Sequence, residues 1–421
     1  MSDTKKVSGF RRALRHRNYA VFAAGNFFSL SADWSNRIAI GWLTWQFTES
    51  PAWLGVMSFS DLAPTVILSP IAGAYADRLH PLKVCMAASA LNALAALTLV
   101  TLYFTGLLSV WSLFAVVLVN GIGSAFGQPV RFALIPNLLP RADLSPAIAL
   151  GSMTFNLSRF SGPMIAGFVL QYLSAGWAFA MAAVFQAIFF VVLRTLKVEG
   201  TAAPAKTNGS IFRDIGEGVR YTARHPGIGP VIFLLLVSSI GTRPFIDLLP
   251  GFAASVFGRG PQGLATMTST VGLGALVGGT YLAMRHSVVG LTLIAVSGVA
   301  LVGVALIAFA TATNFWLAIA CLFVVGAGMS TSATGIMTLI QAAVDGPMRG
   351  RVVSLYGVIF RGGPAIGSFM MGWAAQFVGL HIPVATGACI CIAMWIWTIP
   401  RIRRIGRALE VENSHEHAQS R

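Results

Sequence analysis

The sequence predicts an all-α integral membrane protein whose twelve transmembrane helices form two similar six-helix bundles. Hydrophobic residues make up 56% of its 421 residues and charged residues only 10%, whereas a soluble chain carries about 25% charged residues. Apolar runs recur along the whole length, and about 20 apolar residues suffice for a helix to cross a bilayer. Motifs from the first half return in the second half, which predicts an internal duplication.

Six apolar runs lie on each side of a polar central segment. The predicted spans cover residues 19–47, 52–76, 82–105, 109–135, 144–172, 176–194, 228–257, 262–284, 289–311, 314–341, 350–378 and 381–400. The expected organisation is an amino-terminal bundle over 1–194, a cytoplasmic linker over 195–227, a carboxy-terminal bundle over 228–405 and a disordered cytoplasmic tail over 406–421.

The linker contains a second kind of helix. From Ile211 to His225, apolar and charged residues alternate with helical periodicity, which predicts an amphipathic helix lying along the cytoplasmic face of the membrane. Its expected apolar side consists of Phe212, Ile215, Val219 and Thr222.

The net charge of +15 follows the predicted topology. Lys and Arg are concentrated before the first span, in the linker and after the last span, and the alternate loops are nearly free of them apart from Arg259. Cytoplasmic loops of membrane proteins are enriched in these residues. We therefore expect a multi-pass protein of the cell (inner) membrane with both termini in the cytoplasm, no cleaved signal peptide and no nucleic-acid partner.

The first span carries charges that a bilayer opposes. Asn26, Asp33 and Arg37 lie on one helical face of the stretch GNFFSLSADWSNR, residues 25–37. A charge at the bilayer centre costs roughly 2.5–3.5 kcal/mol on insertion scales, so such residues usually line a cavity or the interior of a bundle.

The same charges recur with their signs exchanged. Adding 210 to the numbers of Asp33 and Arg37 gives Arg243 and Asp247. Two interpretations are open: two independent ion pairs that reduce the cost of insertion, or a cavity network that changes partners during function.

Spans five and eleven share another element. Gly162-Pro163 follows Arg159, and Gly363-Pro364 follows Arg361. Glycine permits close helix packing, so these segments, with Gly167, predict tightly packed and bendable helix contacts.

The loop after the second span reads GAYADRLHPLK, residues 73–83. Asp77, at a helix end, can accept hydrogen bonds from a neighbouring helix N-terminus and pair with an arginine, for which either Arg131 or Arg78 is the candidate partner. Such a contact would hold one end of the bundle closed. The elements of this gating loop are Gly73, Asp77, Arg78, Lys83 and Arg131.

These features resemble the major facilitator superfamily of transporters. Residues 73–83 match the superfamily's loop between helices 2 and 3 only in part, because Leu79, His80, Pro81 and Leu82 replace a glycine and basic residues. Gly162-Pro163 resembles the antiporter motif of exporters. Residues 128–140, 156–163 and 349–356 are similar to the branch that contains the enterobactin exporter and related drug and metabolite exporters.

The resemblance implies a central cavity lined mainly by helices 1, 4, 7 and 10. The residues expected to line it are polar, charged or aromatic: Asn26, Asp33, Trp34, Arg37, Gln128, Asn156, Arg159, Arg243, Asp247, Thr334, Thr338, Gln341 and Arg361. Proton coupling is assigned to three acids within spans, Asp33, Asp61 and Asp247. Four intramembrane arginines against three acids favour an anionic or zwitterionic amphiphilic substrate.

The function that these observations favour is proton-coupled efflux of a siderophore, drug or metabolite by alternating access. Uptake of a similar solute by symport is the alternative, and a non-transporting membrane sensor or scaffold is a further one. The sequence has no nucleotide-binding loop, nucleophile–base set or metal-ligand cluster, so no enzyme activity, cofactor or metal is expected. The expected partners are a small-molecule substrate, protons and the lipid bilayer, with the chain a monomer.

Overall fold

The computed structural model describes residues 10–76, 80–196, 211–285 and 287–410, and these residues are almost entirely helical, with no β-strand among them. The all-α prediction is therefore confirmed for this part of the chain. Its contacts divide into two compact units. Unit 1 comprises Met1–Thr207 with Leu249–Ser269, and unit 2 comprises Asn208–Leu248 with Thr270–Arg421. The sequence assigned Leu249–Ser269 to the carboxy-terminal bundle, whereas the structure groups these residues with unit 1.

Unit 1 contains one helix for each of the first six predicted spans. They are α1 (Arg17–Thr48), α2 (Pro51–Ala76), α3 (Pro81–Phe104), α4 (Val110–Leu134), α5 (Leu144–Tyr172) and α6 (Ala175–Thr195). Proline, which suits the first turn of a helix because its missing N–H needs no partner there, begins α2 and α3. Ser109 and Ser112 cap the start of α4 reciprocally, at 3.2 and 2.9 Å.

The interior of unit 1 is layered along the helix axes. One apolar cluster includes Tyr19, Phe22, Val130 and Phe189. A second, at the opposite end of the same helices, is formed by Ala39, Leu43, Met57, Leu99, Leu113, Val117, Ala175, Ala178 and Phe179. Buried polar residues lie between the two clusters: Ser29, Ser31, Ser35, Ser89, Asn92 and Gln186. This middle layer is where the charges of the first span lie.

The remaining helices continue the predicted pattern. They are α7 (Ile211–Arg224), α8 (Ile228–Gly241), α9 (Phe245–Gly251), α10 (Gly260–Ala283), α11 (Leu291–Thr311), α12 (Phe315–Ala343), α13 (Arg349–Val378), α14 (His381–Thr398) and α15 (Ile402–Leu409). In unit 2, α11 packs along α12 and α14, and α8 packs along α13 and α14. The backbones of α8 and α14 approach so closely that a Cβ atom on Gly387 would lie 1.9 Å from the Gly241 carbonyl oxygen.

The seventh predicted span, residues 228–257, coincides with the apolar segment Ile228–Val256, which is long enough to cross a membrane, but it is not one continuous helix. α8 ends at Gly241 and α9 begins only at Phe245. Pro244 lacks an N–H and disfavours the helical conformation at the residue before it. Arg243 and Asp247 are therefore not separated by one turn of a regular helix, as the sequence analysis had assumed.

The predicted amphipathic helix exists as α7, and two of the four residues on its predicted apolar side are described. Val219 is 46% exposed, whereas Thr222 is 5% exposed; the side chains of Phe212 and Ile215 lie outside the description. α7 packs against the start of α13, where Glu217 pairs with Arg351 at 2.6 Å.

The corner between α7 and α8 is held by two further contacts. Tyr221 donates a hydrogen bond to Asp345 at 2.9 Å, and burial raises the pKa of Tyr221. His225 accepts hydrogen bonds from the N–H groups of Gly227 and Ile228 at 3.2 and 3.1 Å. Burial lowers the pKa of His225, so the neutral imidazole that these bonds require is favoured.

The start of the predicted disordered tail is ordered up to residue 410. Ile405 and Leu409 of α15 are buried, and the Glu410 carboxylate accepts hydrogen bonds from the N–H groups of Gly290 and Thr292, both at 2.8 Å. These contacts cap the start of α11. Residues 411–421 lie outside the described residues.

Nine described helices are long and apolar enough to cross a membrane. Helices α1, α5 and α10 also occupy predicted spans but are more polar, with Asp33 and Arg37 in α1 and Arg159 in α5. The count of twelve spans therefore stays a prediction.

Candidate functional site

A chain of hydrogen bonds crosses the middle layer of unit 1. Gln186 Nε2 donates to Asp33 Oδ1 at 2.7 Å, Ser29 Oγ donates to Gln186 Oε1 at 2.9 Å, and Arg131 Nη2 donates to Ser29 Oγ at 2.8 Å. Arg131 Nη1 also donates to Asn26 Oδ1 at 3.4 Å. The chain therefore connects a carboxylate on α1 to a guanidinium on α4 through one residue of α6.

Arg131 is a buried cation with neutral hydrogen-bond partners. It is 8% exposed, its guanidinium lies 4.8 Å from the ring centroid of Phe189, and its Nε has no hydrogen-bond partner among the described residues. The sequence analysis paired Arg131 with Asp77, which lies outside the described residues. What the structure shows is its contact with Asn26 and Ser29.

Two members of this chain were missed by the sequence analysis. Gln186 is 3% exposed and Ser29 is 0% exposed. Gln186 is the one strongly polar residue in the apolar stretch from Ala175 to Val192, and burying such an amide is costly unless it is hydrogen-bonded. That signal was present in the sequence, whereas Ser29 is common in helix packing and carries no such signal.

Trp34 is the centre of a second cluster. The guanidinium groups of Arg159 and Arg37 lie 5.5 and 6.0 Å from its ring centroid, and Phe155 meets it edge-on at 6.1 Å. The structure therefore brings together four residues of α1 and α5, three of which the sequence analysis had assigned to the cavity.

Asp61, the other acid within a predicted span of unit 1, lies on α2 and accepts a hydrogen bond from Asn120 Nδ2 at 3.3 Å. Asp61 and Arg131 are the charged groups that act electrostatically on Asp33 from α2 and α4. The middle layer of unit 1 thus holds two acids predicted to couple protons.

In unit 2, Arg243 lies at the break between α8 and α9. Its guanidinium is 3.9 Å from the ring centroid of Phe360, which stacks on Tyr356 at 5.6 Å. Tyr356 is fixed by donating its hydroxyl to the Ala333 carbonyl at 3.0 Å. A small pocket beside the guanidinium is lined by Ser238, Thr242, Arg243, Val299, Val302, Met329 and Ser332.

Asp247 accepts a hydrogen bond from Ser368 of α13 at 2.5 Å. The sequence analysis did not single out Ser368, which lies one turn after Pro364 and is 1% exposed. Its only sequence signal is a hydroxyl in an apolar span, which is weak because serine is common at helix contacts.

The other residues predicted to line the cavity are not joined to these clusters by a described contact. Asn156 donates within its own helix to the Ser152 carbonyl at 3.0 Å, and Thr338 donates to the Thr334 carbonyl at 2.9 Å. Thr334, Thr338 and Gln341 are exposed on α12, while Gln128 and Arg361 are half-buried.

The gating loop lies partly outside the described residues. Gly73 falls in the last turns of α2 and Lys83 is exposed in the first turn of α3, but Asp77 and Arg78 are not described. The predicted latch therefore stays a prediction.

The Gly-Pro elements mark corresponding helix contacts in the two units. A Cβ atom on Gly162 would lie 2.7 Å from the Cβ of Trp34 on α1, and one on Gly363 would lie 2.4 Å from the Cβ of Ser239 on α8. A Cβ atom on Gly167 would lie 2.0 Å from that of Ala265. Pro163 is buried inside α5, and Pro364 lies inside α13. Span five thus packs on span one as span eleven packs on span seven.

Within the described residues, no group of three or more His, Cys, Asp or Glu side chains is placed to hold a metal ion.

The family follows from comparison with known proteins. The model of a family described as transmembrane secretion effector matches residues 8–419. The chain belongs to this family. The staphyloferrin A transporter of Staphylococcus aureus (strain NCTC 8325 / PS 47) is 25% identical to this chain over 388 residues. The match covers 90% of this chain and 96% of that protein. Macrolide efflux protein A of Streptococcus pyogenes is 22% identical over 394 residues, which cover 92% of this chain and 96% of that protein.

Solved structures show the same fold. The crystal structure of the human organic anion transporter MFSD10 (TETRAN) superposes with a TM-score of 0.66 at 15% identity, covering 90% of this chain and 99% of that chain. The chain is therefore a multi-pass membrane transporter of this family with the major facilitator fold. The narrower resemblance to the enterobactin-exporter branch stays a prediction.

Proposed function

We propose that this transporter exports an amphiphilic small molecule in exchange for protons, by alternating access of two bundles. The family description and the efflux relative support the outward direction. The relatives' names mention staphyloferrin A and macrolides, which supports a siderophore, drug or metabolite as substrate. Membership of the enterobactin-exporter branch belongs to the same proposal.

The observation that carries the proposal is the buried chain from Asp33 to Arg131 in unit 1. A carboxylate and a guanidinium within a membrane bundle are expensive and are retained where they serve ion or substrate pathways. Asp33 is bonded to an amide rather than fixed in a described ion pair, and a carboxylate with a neutral partner can gain and lose a proton without leaving a cation unpaired.

The substrate class follows from Arg243 in unit 2. Its guanidinium stacks on Phe360 and borders a pocket that also presents the hydroxyl residues Ser238, Thr242 and Ser332. Guanidinium groups bind carboxylates in a bidentate manner, and the aromatic rings provide apolar surface. We therefore assign the Arg243 guanidinium and the neighbouring rings to contact with an anionic or zwitterionic amphiphile.

Topology completes the proposal. The arginines of α7 and α15, and those before α1, lie on the same side of the membrane under the positive-inside rule. We assign both termini to the cytoplasm, the protein to the cell (inner) membrane, and the working unit to a monomer whose partners are the substrate, protons and lipid.

Comparative mass spectrometry of cells and spent medium tests the proposal. The strains are a deletion, the deletion complemented with the wild-type gene, and the deletion complemented with Asp33→Asn at a matched amount of membrane protein. We expect a compound that accumulates inside the deletion strain, is missing from its medium, and is restored to the medium by the wild-type gene alone. Slower consumption of a medium component by the deletion strain would instead establish uptake and overturn the export direction.

A further inference from the structure

Gln186 joins the acid and the base of unit 1 from a helix that carries neither. Its side chain is 3% exposed and touches Asp33 through Nε2 at 2.7 Å and Ser29 through Oε1 at 2.9 Å. Its own backbone carbonyl accepts a hydrogen bond from Ser89 on α3 at 3.3 Å, which helps to fix the main chain.

The protonation state of Asp33 sets the direction of the two bonds that the Gln186 amide makes. An ionised carboxylate only accepts hydrogen bonds, so the NH₂ group of Gln186 must face Asp33 and its carbonyl must face Ser29. The Ser29 hydroxyl then donates to Gln186, which leaves the Ser29 oxygen available to accept from Arg131. Each of the three bonds from Asp33 to Arg131 then joins one donor to one acceptor.

We propose that Gln186 is a positioning residue that transmits protonation of Asp33 to Arg131 by rotation of its side-chain amide. A protonated Asp33 has an O–H that needs an acceptor, so Oε1 turns toward Asp33 and Nε2 toward Ser29. The Ser29 oxygen then faces two donors, Nε2 and Arg131 Nη2, and its own proton must find another acceptor. The contact between Ser29 and Arg131 weakens, and the proton stays on Asp33.

The inference rests on the proposed proton coupling and depends on the charges around Asp33. Asp61 on α2 and Arg131 on α4 act electrostatically on Asp33, and Arg37 on α1 and Arg159 on α5 lie against the adjacent Trp34 ring. From α3, the Cys85 thiol interacts with Arg131. Gln186 is the group through which the described hydrogen bonds lead from Asp33 to Arg131.

Infrared difference spectroscopy of the purified full-length protein, without substrate, tests the first step. The C=O stretch of protonated Asp33 is the band that pH titration shows in the wild type and that Asp33→Asn removes. Gln186→Leu keeps the side-chain size and removes the acceptor, so we expect this band at higher wavenumber. Ser29→Ala does not touch Asp33 and should leave the band in place.

Two results would count against the account, in different ways. Absence of any band that Asp33→Asn removes would show that Asp33 does not bind a proton, which overturns its role in the proposed function. A band that is present but unmoved in Gln186→Leu would overturn the role of Gln186 alone.

Alkylation of the native Cys85 thiol at one fixed pH tests the second step. Cys85 is 1% exposed and lies beside Arg131, so its reaction with N-ethylmaleimide, followed by mass spectrometry of its peptide, reports loosening of that arginine. Asp33→Asn removes the ionised carboxylate and should raise the rate about ten- to hundredfold, the factor that corresponds to losing one hydrogen bond to a charged group.

The decisive comparison is the same substitution in two backgrounds. In Gln186→Leu, Asp33→Asn should no longer change the Cys85 rate, because the connection is already broken. In the control Ser35→Ala, a buried serine of α1 that bonds to the Gly162 carbonyl at 2.9 Å outside the chain, the effect of Asp33→Asn should persist. An equal effect in both backgrounds, or none in either, would overturn the proposal.

Discussion

The first and seventh spans carry the same charges in exchanged order, yet they present them differently. α1 runs without interruption from Arg17 to Thr48, and Asp33 is held by a side chain of α6 in a buried layer. The seventh span breaks before Pro244, and Arg243 at the break lies against an aromatic ring beside a pocket.

The two spans therefore share charged residues but not the geometry around them. In a continuous helix the backbone hydrogen bonds are made within the helix, so a charged side chain needs hydrogen-bond partners from neighbouring helices. In unit 1, Gln186 of α6 is this partner for Asp33. At a helix break the backbone groups are partly released, and the side chain is set at the end of a helix where a ligand can approach. This contrast favours a proton site in unit 1 and a substrate site in unit 2.

The largest expected effect separates the two acids. Asp33→Asn should lower proton-coupled export at least about ten- to hundredfold, the factor that corresponds to losing a hydrogen bond to a charged group. Asp247→Asn should retain a larger share of export, because the Ser368 hydroxyl can also bond to an amide. Initial export rates at matched membrane levels measure both, and a larger loss in Asp247→Asn would reverse the assignment of roles.

The next effect concerns the glycines at matched helix contacts. Gly162→Ala and Gly363→Ala should each destabilise the protein by about 1–3 kcal/mol through overpacking, since their Cβ atoms would lie 2.7 and 2.4 Å from side chains of α1 and α8. Gly151→Ala and Gly357→Ala, in the same two helices with nothing within 4 Å of the added atom, are the controls. Thermal unfolding in detergent compares the pairs, and equal melting temperatures within a pair would contradict the packing.

A smaller effect is expected at the aromatic site of unit 2. Arg243→Gln removes the charge. Arg243→Lys keeps the charge but lacks the planar guanidinium, which stacks on the aromatic ring and can bind a carboxylate through two hydrogen bonds. The apparent KM for an anionic substrate should rise about tenfold in the first variant, as expected for a loss near 1.4 kcal/mol, and less in the second. An unchanged KM with a reduced maximal rate would place Arg243 in the conformational cycle instead.

The smallest effect is the pH response of the corner between α7 and α8. Because burial lowers the pKa of His225, the neutral form is favoured in the folded state. The two hydrogen bonds to the neutral imidazole therefore stabilise the corner fully above the ordinary histidine pKa of about 6.5. This stabilisation is lost as the pH falls through the lower pKa that His225 has in the folded protein. As the pH falls from 7.5 to 5, the protection of the Gly227 and Ile228 amides from hydrogen exchange should decrease in the wild type. It should decrease less in His225→Asn, which keeps an acceptor that does not titrate. An equal change in protection in the two proteins would contradict this.

Much of the fold could be predicted from sequence because it depends on hydrophobic length and charge distribution. Helices α1 to α6 occur where apolar runs predicted them, and α7 occurs where the helical periodicity of the linker predicted an amphipathic helix. The break at Pro244 was missed because the apolar run continues across it, although a proline was present to indicate it. Glu410, which caps α11, was assigned to a disordered tail because its partners are more than 100 residues away in the sequence.

The site was predicted less completely for a physical reason. Charges in apolar spans are conspicuous, so Asp33, Arg131 and Arg243 were all identified. The neutral groups that satisfy them depend on which helices touch, and no periodicity within one helix reveals that. Gln186, Ser29 and Ser368 therefore emerged only once α6 and α13 were placed against α1 and the start of α9.

The most direct test of proton coupling measures proton movement itself. Inverted membrane vesicles that hold a pH gradient would receive the compound identified by the medium comparison, while a fluorescent amine reports the gradient. Wild-type vesicles should lose part of the gradient when the compound is added, and Asp33→Asn vesicles with the same amount of protein should keep it. Equal loss of the gradient in both would contradict the assignment of the coupling proton to Asp33.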